Sequence, residues 1–125
     1  MGTSAVNKKI EIISRAALAK KANDILVVDL RKFATICDYF VIAGGDSTIH
    51  IDAIAQAIEK DLSKGGFRVY HREGRKEALW ILLDCGNVVT HIFYNKTRGF
   101  YNLEKIWHDA PRKRISENTF RQKKV

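Results

Sequence analysis

Apolar residues recur at helical spacing in two parts of the chain. Ile10, Ile13 and Ala17 form such a stripe within residues 8–21, which predicts an amphipathic helix. The second stripe consists of Ile51, Ile54, Ala55, Ile58 and Leu62. Because Ser47 is a preferred N-cap and Gly65 a common helix end, this stripe predicts a helix between them.

Short β-branched and aromatic runs predict five strands. They are Ile25–Leu30, Tyr39–Ala43, Phe67–His71, Leu79–Asp84 and Val88–Tyr94. Cys85-Gly86-Asn87 is typical of a tight hairpin loop between the last two. Phe100–Trp107 predicts a short closing helix that ends before Pro111. The order α-β-β-α-β-β-β-α indicates an α/β (α+β) domain, with a five-stranded mixed sheet flanked by helices.

The charge is unevenly distributed along a chain of globular composition. Apolar residues make up 46% of the 125 residues, which is enough to form a core. Twenty-two Lys and Arg face fourteen Asp and Glu, a net charge of +8. Residues 111–125 hold six basic residues and one acidic residue (+5), which leaves sixteen minus thirteen (+3) for residues 1–110. We therefore expect a folded domain over residues 1–110 and a basic, flexible tail over residues 111–125, whose Arg112, Lys113 and Arg114 are candidates for contact with RNA.

Several classes of protein and of site are not indicated. No apolar run approaches the ~20 residues that cross a bilayer, and the first residues lack the apolar centre of a signal peptide. Cys37 and Cys85 form no CxxC motif and are expected to be reduced thiols in the cytoplasm. Cys85 with His91 would supply only half of a zinc site, so we expect no metal and no cofactor.

Gly44-Gly45-Asp46-Ser47, between a strand and a helix, is the feature most typical of an enzyme. Nucleotidyl transferases approach a triphosphate at such a turn, and backbone amides at a helix start bind anions. That chemistry also needs carboxylates on an adjacent strand to hold Mg²⁺. Asp52, Glu59 and Asp61 lie in the helical pattern instead, and Asp84 stands alone. A structural junction is favoured, and a nucleotide-binding enzyme is the alternative.

The predicted strand Leu79–Asp84 is apolar on both faces. Trp80 and Leu82 point away from the side chains that alternate with them. Helices on both sides of the sheet would explain this pattern, and so would an exposed apolar patch that binds a protein. Tryptophan beside arginine is the composition of binding hot spots, and Arg75 and Lys76 flank this strand.

Three carboxylates border the predicted strands: Asp29, Asp38 and Asp84. A lone carboxylate is costly in such a place unless it is paired or hydrogen-bonded. We expect these side chains to cap turns or to pair with nearby arginines rather than to bind a ligand.

The order of short motifs along residues 8–110 resembles the ribosomal silencing factor family, known as RsfS or Iojap. The motifs are Asp29-Leu30-Arg31, Cys37–Ile42, Gly44 with Ser47 and His50, Glu73-Gly74, Trp80–Gly86, Val88–Phe93 and Phe100–Trp107. Each motif alone is weak, but their order and spacing make the resemblance specific.

The resemblance implies a fold related to the nucleotidyl transferases, without their activity. It implies a cytoplasmic protein, homodimeric when free, that binds the large ribosomal subunit through the protein numbered fourteen there. Bound in that place, it would block joining with the small subunit and repress translation when nutrients are short. Trp80 matches the family's tryptophan at the ribosomal protein contact.

A non-enzymatic silencing factor is therefore the leading hypothesis. Its expected partner-binding residues are Glu73, Arg75, Lys76, Trp80, Leu82 and Asp84. The alternatives are the nucleotide-binding enzyme and a direct RNA-binding protein that uses the basic tail.

Overall fold

A mixed sheet carries two long helices on one face, and both helices contribute to one core with the strands beneath them. This computed structural model describes residues 2–33, 37–74, 79–95 and 109–123. The elements in chain order are α1 (Gly2–Ala19), β1 (Asn23–Asp29), β2 (Tyr39–Gly45), α2 (Thr48–Lys64), β3 (His71–Glu73), β4 (Trp80–Asp84), β5 (Val88–Tyr94), β6 (Arg112–Ile115) and a 3-10 helix (Glu117–Lys123). The predicted closing helix Phe100–Trp107 lies outside the described residues.

The strands lie side by side in the order β3-β4-β5-β2-β1-β6. β2 and β5 are parallel, and the other neighbouring pairs are antiparallel. The prediction of a mixed sheet in an α+β domain is therefore confirmed. The predicted number of strands is wrong, because the described residues form six.

The sixth strand consists of residues that we predicted to be a flexible tail. Arg112 pairs with Val28 on β1, and Ile115 pairs with Ile25. Ile115 is 8% exposed, within the core under the helices. The outer edge of β1 presents N–H and C=O groups that need partners, and a further strand satisfies them. The prediction that the fold ends at residue 110 is thus wrong for residues 112–115.

The third strand is shorter and later than the pattern predicted. It begins at His71, whereas the prediction was Phe67–His71. Phe67 and Val69 are half-buried against the core under the helices, which explains their alternation without strand pairing. Before His71, the backbone N–H of Tyr70 donates to the Asp84 carbonyl at 2.8 Å, so the segment joins the sheet only at its end.

The predicted boundaries of α2 are confirmed. The Ser47 side chain accepts a hydrogen bond from the His50 N–H at 3.0 Å, which satisfies one of the free donors at the helix start. At the other end, the Gly65 N–H donates to the Asp61 and Leu62 carbonyls, both at 3.1 Å. No helix in the described ranges combines the length and the apolar character that a membrane span requires.

Thr90 on β5 provides a test of the core under the helices. Its side chain is fully buried, and its hydroxyl oxygen has no hydrogen-bond partner within the described structure. A buried hydroxyl without a partner costs free energy, so Thr90→Val is expected to raise the free energy of unfolding by about 1 kcal/mol. Urea unfolding of the variant and the parent chain measures this difference.

Thr119→Val is the matched control for Thr90→Val. The Thr119 hydroxyl accepts a hydrogen bond from the Ser116 N–H at 2.8 Å, so the same chemical change there is expected to destabilise the chain. If the Thr90→Val variant unfolds more easily than the parent chain, the Thr90 hydroxyl does have a hydrogen-bond partner and this prediction is wrong.

Candidate functional site

The candidate site lies on the sheet face opposite α1 and α2, which we call the open face. On β4 it carries Trp80, Leu82 and Asp84, which alternate with side chains that point to the helices. Across the β4–β5 pair, Leu82 lies opposite His91 and Asp84 lies opposite Val89. The register of the ladder therefore forms one continuous surface from two strands.

The two faces of β4 have different surroundings. Ile81 and Leu83 are 1% and 0% exposed under the helices, whereas Trp80 and Leu82 are half-buried on the open face. Both described α-helices pack on the Ile81 side. Within the described residues no α-helix packs on the Trp80 side, and the predicted closing helix lies outside them, so the explanation with helices on both sides stays a prediction.

Four aromatic rings pack together on the open face. Trp80 stacks on Phe93, with ring centroids 5.2 Å apart, and Phe40 meets the His91 ring edge-to-face at 4.5 Å. The indole N–H of Trp80 donates to His91 Nδ1 at 3.1 Å. These contacts fix the orientation of the indole, which leaves part of its surface accessible.

His91 is neutral in this arrangement. Its side chain is 4% exposed, and burial lowers the pKa of the imidazole to about 4. Because Nδ1 accepts the hydrogen bond from Trp80, the proton of the neutral ring lies on Nε2. Within the described residues Nε2 has no hydrogen-bond partner, so the ring is held by packing and by the indole.

A groove of about 380 Å³ runs along the open face beside these rings. Its walls include Phe40, Tyr70, Leu82, Asp84, Val89 and His91. Tyr70 is 63% exposed at the rim, and Phe40 is buried at the base. A mainly apolar groove with a few polar groups is the kind of concave surface that receives side chains of a partner protein.

Asp84 and Glu73 have partners within the chain. Asp84 Oδ1 accepts a hydrogen bond from the Gly86 N–H at 2.9 Å, which closes the β4–β5 hairpin as expected. Glu73 lies beside His71, with 2.9 Å between Oε2 and Nε2, and both side chains are exposed. Asp84 therefore combines support of the turn with a place in the groove wall, while Glu73 lies on the edge strand of the sheet.

Position 74, which follows Glu73, requires glycine because the backbone of β4 approaches it closely. Its φ is +101°, and a Cβ there would lie 2.5 Å from the Trp80 carbonyl oxygen. The Glu73-Gly74 motif thus sets the path of the chain next to β4. Arg75 and Lys76, which we expected to flank this strand, lie outside the described residues.

The three cations of β6 are not brought together with the Trp80 surface. Arg112, Lys113 and Arg114 are exposed at the opposite edge of the sheet, where β6 pairs only with β1 among the described strands. Three strands separate β6 from β4. The expected site residues therefore form two separate groups.

Neighbouring residues fill the space beside the Gly44-Gly45-Asp46-Ser47 turn. A Cβ on Gly45 would lie 2.9 Å from Ile51 Cγ1, so α2 occupies the space next to this glycine. Asp46 Oδ1 accepts hydrogen bonds from Asn23 and Asn95, and the Asp46 N–H donates to His50 Nδ1. These bonds tie the turn to its neighbours, which agrees with a structural junction rather than a phosphate cradle.

Cys85 and His91 cannot share a metal ion in this fold. Cys85 belongs to the core under the helices, whereas His91 lies on the open face with Trp80 and Phe40. Burial raises the pKa of the Cys85 thiol to about 11, so the ligating thiolate is disfavoured. Among the described residues, no group of three His, Cys, Asp or Glu side chains could hold a metal.

The carboxylate Asp29 is paired as expected. Its two oxygens accept hydrogen bonds from Arg31 Nε at 2.9 Å and from Nη2 at 2.7 Å. This contact with Arg31 lowers the pKa of Asp29 below its usual value. Asp29 thus has a structural partner and needs no ligand.

The sequence pattern identified Trp80, Leu82 and Asp84 but missed the rest of the groove. Phe40 and His91 were assigned to strands without a role at the site, because strand register was unknown. The available signal was the alternation of Val89, His91 and Phe93 on β5, which marks one face of that strand.

A family model described as "Ribosomal silencing factor during starvation" matches residues 3–125. The chain is similar to the ribosomal silencing factor of Bacillus subtilis, with 41% identity over 102 residues that cover 82% of this chain and 86% of the relative. It is also similar to a mouse protein named "Mitochondrial assembly of ribosomal large subunit protein 1", with 31% identity over 82% of this chain and 47% of that protein.

The fold is similar to a crystal structure from Bacillus halodurans. The TM-score is 0.76 at 30% sequence identity, and the match covers 87% of this chain and 99% of the other. The family match covers residues 3–125 and so includes the strands of the open face, and the structural match covers most of the chain. The chain belongs to the ribosomal silencing factor family.

Proposed function

We propose that this chain is a non-enzymatic silencing factor whose open face binds a protein of the large ribosomal subunit. The observation that carries the proposal is the half-buried Trp80 beside an open, mainly apolar groove. Tryptophan at the rim of a concave apolar surface is typical of binding hot spots. The name of the mouse relative, which refers to the large ribosomal subunit, supports the same class of partner.

In the finer form of the proposal, the partner is the large-subunit protein numbered fourteen. Docking there covers surface that the small subunit must contact, so joining is blocked by steric exclusion. This action needs shape and affinity but no reaction, which agrees with the closed Gly44-Gly45 turn. The homodimer, the cytoplasmic location and the kinship of the fold with nucleotidyl transferases stay predictions.

Purified ribosomal subunits test the proposed function directly. The chain is expected to co-sediment with large subunits and not with small subunits in a sucrose gradient. When large subunits are saturated with the chain before small subunits are added, the fraction of joined ribosomes is expected to fall. Light scattering or gradient profiles measure the joined fraction.

An unrelated protein of equal net charge is the control for these assays, because ribosomal RNA attracts basic proteins without specificity. Equal association with both subunits, or unchanged joining at saturation, would overturn the proposal.

A further inference from the structure

β6 places three consecutive cations at one edge of the sheet. Arg112, Lys113 and Arg114 are all exposed, and their only paired neighbour among the described strands is β1. The strand is held in register by Ile115, which is buried in the core under the helices. The cations are therefore displayed by a fixed backbone.

The register decides which way these side chains point. Arg112 lies opposite Val28 and Arg114 lies opposite Leu26, and directly opposed residues of an antiparallel pair share a face. Leu26 and Val28 pack with Phe40 on the face opposite the helices. Arg112 and Arg114 thus stand on the same side of the sheet as the groove, and β4 and β6 are roughly 19 Å apart, because four strand spacings separate them.

Two further cations and an aromatic ring lie next to β6. Arg31 and Lys32 are exposed, Phe33 is 44% exposed, and together with Asp29 and Pro111 they line a surface pocket of about 410 Å³. The Asp29 N–H donates to the Pro111 carbonyl at 2.8 Å, which joins this loop to the start of β6.

Carboxylates offset only part of this charge. Asp29 pairs with Arg31, and Asp24 pairs with Arg114 at 2.8 Å. The Asp24–Arg114 pair is exposed, with 66% and 62% of the side chains accessible, so it is weak and can exchange for another anion.

We propose that this basic edge (Arg31, Lys32, Phe33, Arg112 and Arg114) binds the backbone of RNA beside the protein that docks in the groove. Lys113 lies opposite Val27 on the helix side of the sheet and is not part of this edge. The placement of that RNA rests on the proposed function. Cations on alternate positions of a strand are about 6.7 Å apart, which is comparable to the spacing of successive phosphates in an extended nucleic acid. An exposed ring beside the cations is the composition that binds single-stranded RNA, whereas an acidic protein segment would not need the ring.

Fluorescence anisotropy with a labelled single-stranded RNA oligonucleotide measures this activity without ribosomal subunits. The variant Arg112→Gln with Arg114→Gln is expected to lower the slope of log K against log salt by about 1.4, at ~0.7 per phosphate contact. Between 50 and 200 mM salt, the loss of affinity would then be about 7-fold smaller than for the parent chain.

Two comparisons show whether RNA binding depends on this edge or on the overall positive charge of the chain. Lys60→Gln with Lys64→Gln removes the same charge from exposed positions on α2 and is expected to leave the slope unchanged. Phe33→Ala is expected to weaken RNA binding about fivefold or more, because base stacking is lost. Equal slopes for the two double variants, or displacement of the RNA by polyglutamate of equal charge, would overturn the RNA assignment.

Co-sedimentation at several salt concentrations distinguishes this inference from the proposed function. The β6 variant is expected to remain folded and to keep its groove, so it still binds large subunits. The affinity is expected to depend less on salt than that of the parent chain. If that variant binds RNA like the parent while large subunits still bind, only the basic edge is refuted. If the parent binds RNA but not large subunits, the proposed function and the placement of the RNA fail together.

Discussion

Large ribosomal subunits are expected to bind the Trp80→Ala variant thirtyfold or more weakly than the parent chain. A hot-spot tryptophan contributes about 2 kcal/mol or more to binding, and that free energy corresponds to this factor in Kd. Trp80 is held in one orientation by Phe93 and His91 before any partner arrives, so little ordering is needed on binding. Gradient co-sedimentation at a fixed salt concentration measures the affinity.

The stability of the Trp80→Ala variant needs its own measurement, because the indole also packs within the chain. Loss of a half-buried tryptophan and its stacking on Phe93 costs about 3 kcal/mol, at the lower end for such substitutions. Circular dichroism and thermal unfolding show whether the variant is folded at the assay temperature. Leu82→Ala removes a smaller half-buried side chain from the same surface and is expected to weaken binding in the same direction.

Ile49→Ala is the matched control for the loss of apolar surface. Ile49 is 74% exposed on α2, on the other side of the sheet from the groove. This variant is expected to bind large subunits like the parent chain. A folded Trp80→Ala variant that co-sediments unchanged would show that the open face is not the docking surface.

Local sequence signals predicted the elements that have strong periodicity or clear boundaries. Ser47 and Gly65 bounded α2 correctly, because capping is decided within a few residues. Val88–Tyr94 was predicted with its observed limits, since the run is β-branched and aromatic throughout. These features depend on the residues themselves and on near neighbours.

β6 and β3 were mispredicted because their structure depends on distant parts of the chain. Arg112–Ile115 contains a single apolar residue, and its pairing depends on the unsatisfied edge of β1, which is remote in sequence. Phe67 and Val69 alternate like a strand, but they are packed against the helix-side core instead. Over such short stretches, packing against a core and pairing in a sheet produce the same alternation of apolar and polar residues.

The candidate site was predictable only as single strands. The alternation of Trp80 and Leu82 indicated a surface, but the groove also needs His91 opposite Leu82 and Phe40 beside Val89. Register across β4, β5 and β2 is a tertiary property, so the sequence pattern could not bring these residues together. The same register separates Cys85 from His91 and removes the zinc hypothesis.

Acid is expected to destabilise the parent chain through His91 in a defined pH window. The ordinary pKa of histidine is 6.5 and applies to the unfolded chain, whereas burial lowers the pKa of folded His91 to about 4. Above pH 6.5 the ring is neutral in both states and contributes no pH dependence. Between pH 6.5 and 4 only the unfolded state takes up the proton, so stability falls as the pH falls.

The expected loss from this residue is about 3 kcal/mol between pH 7 and pH 4, and roughly 1 kcal/mol of it by pH 5.5. Urea unfolding at these three pH values measures it as the difference between the parent chain and His91→Phe. Phenylalanine retains an aromatic ring against Phe40 and Trp80 but has no proton to bind. Contributions that the two chains share cancel in the difference.

A parent chain and a His91→Phe variant with parallel curves would show that His91 is protonated as easily in the folded state as in the unfolded one. The hydrogen bond from the Trp80 indole would then lose its acceptor in mild acid, since a protonated imidazole has no free nitrogen lone pair.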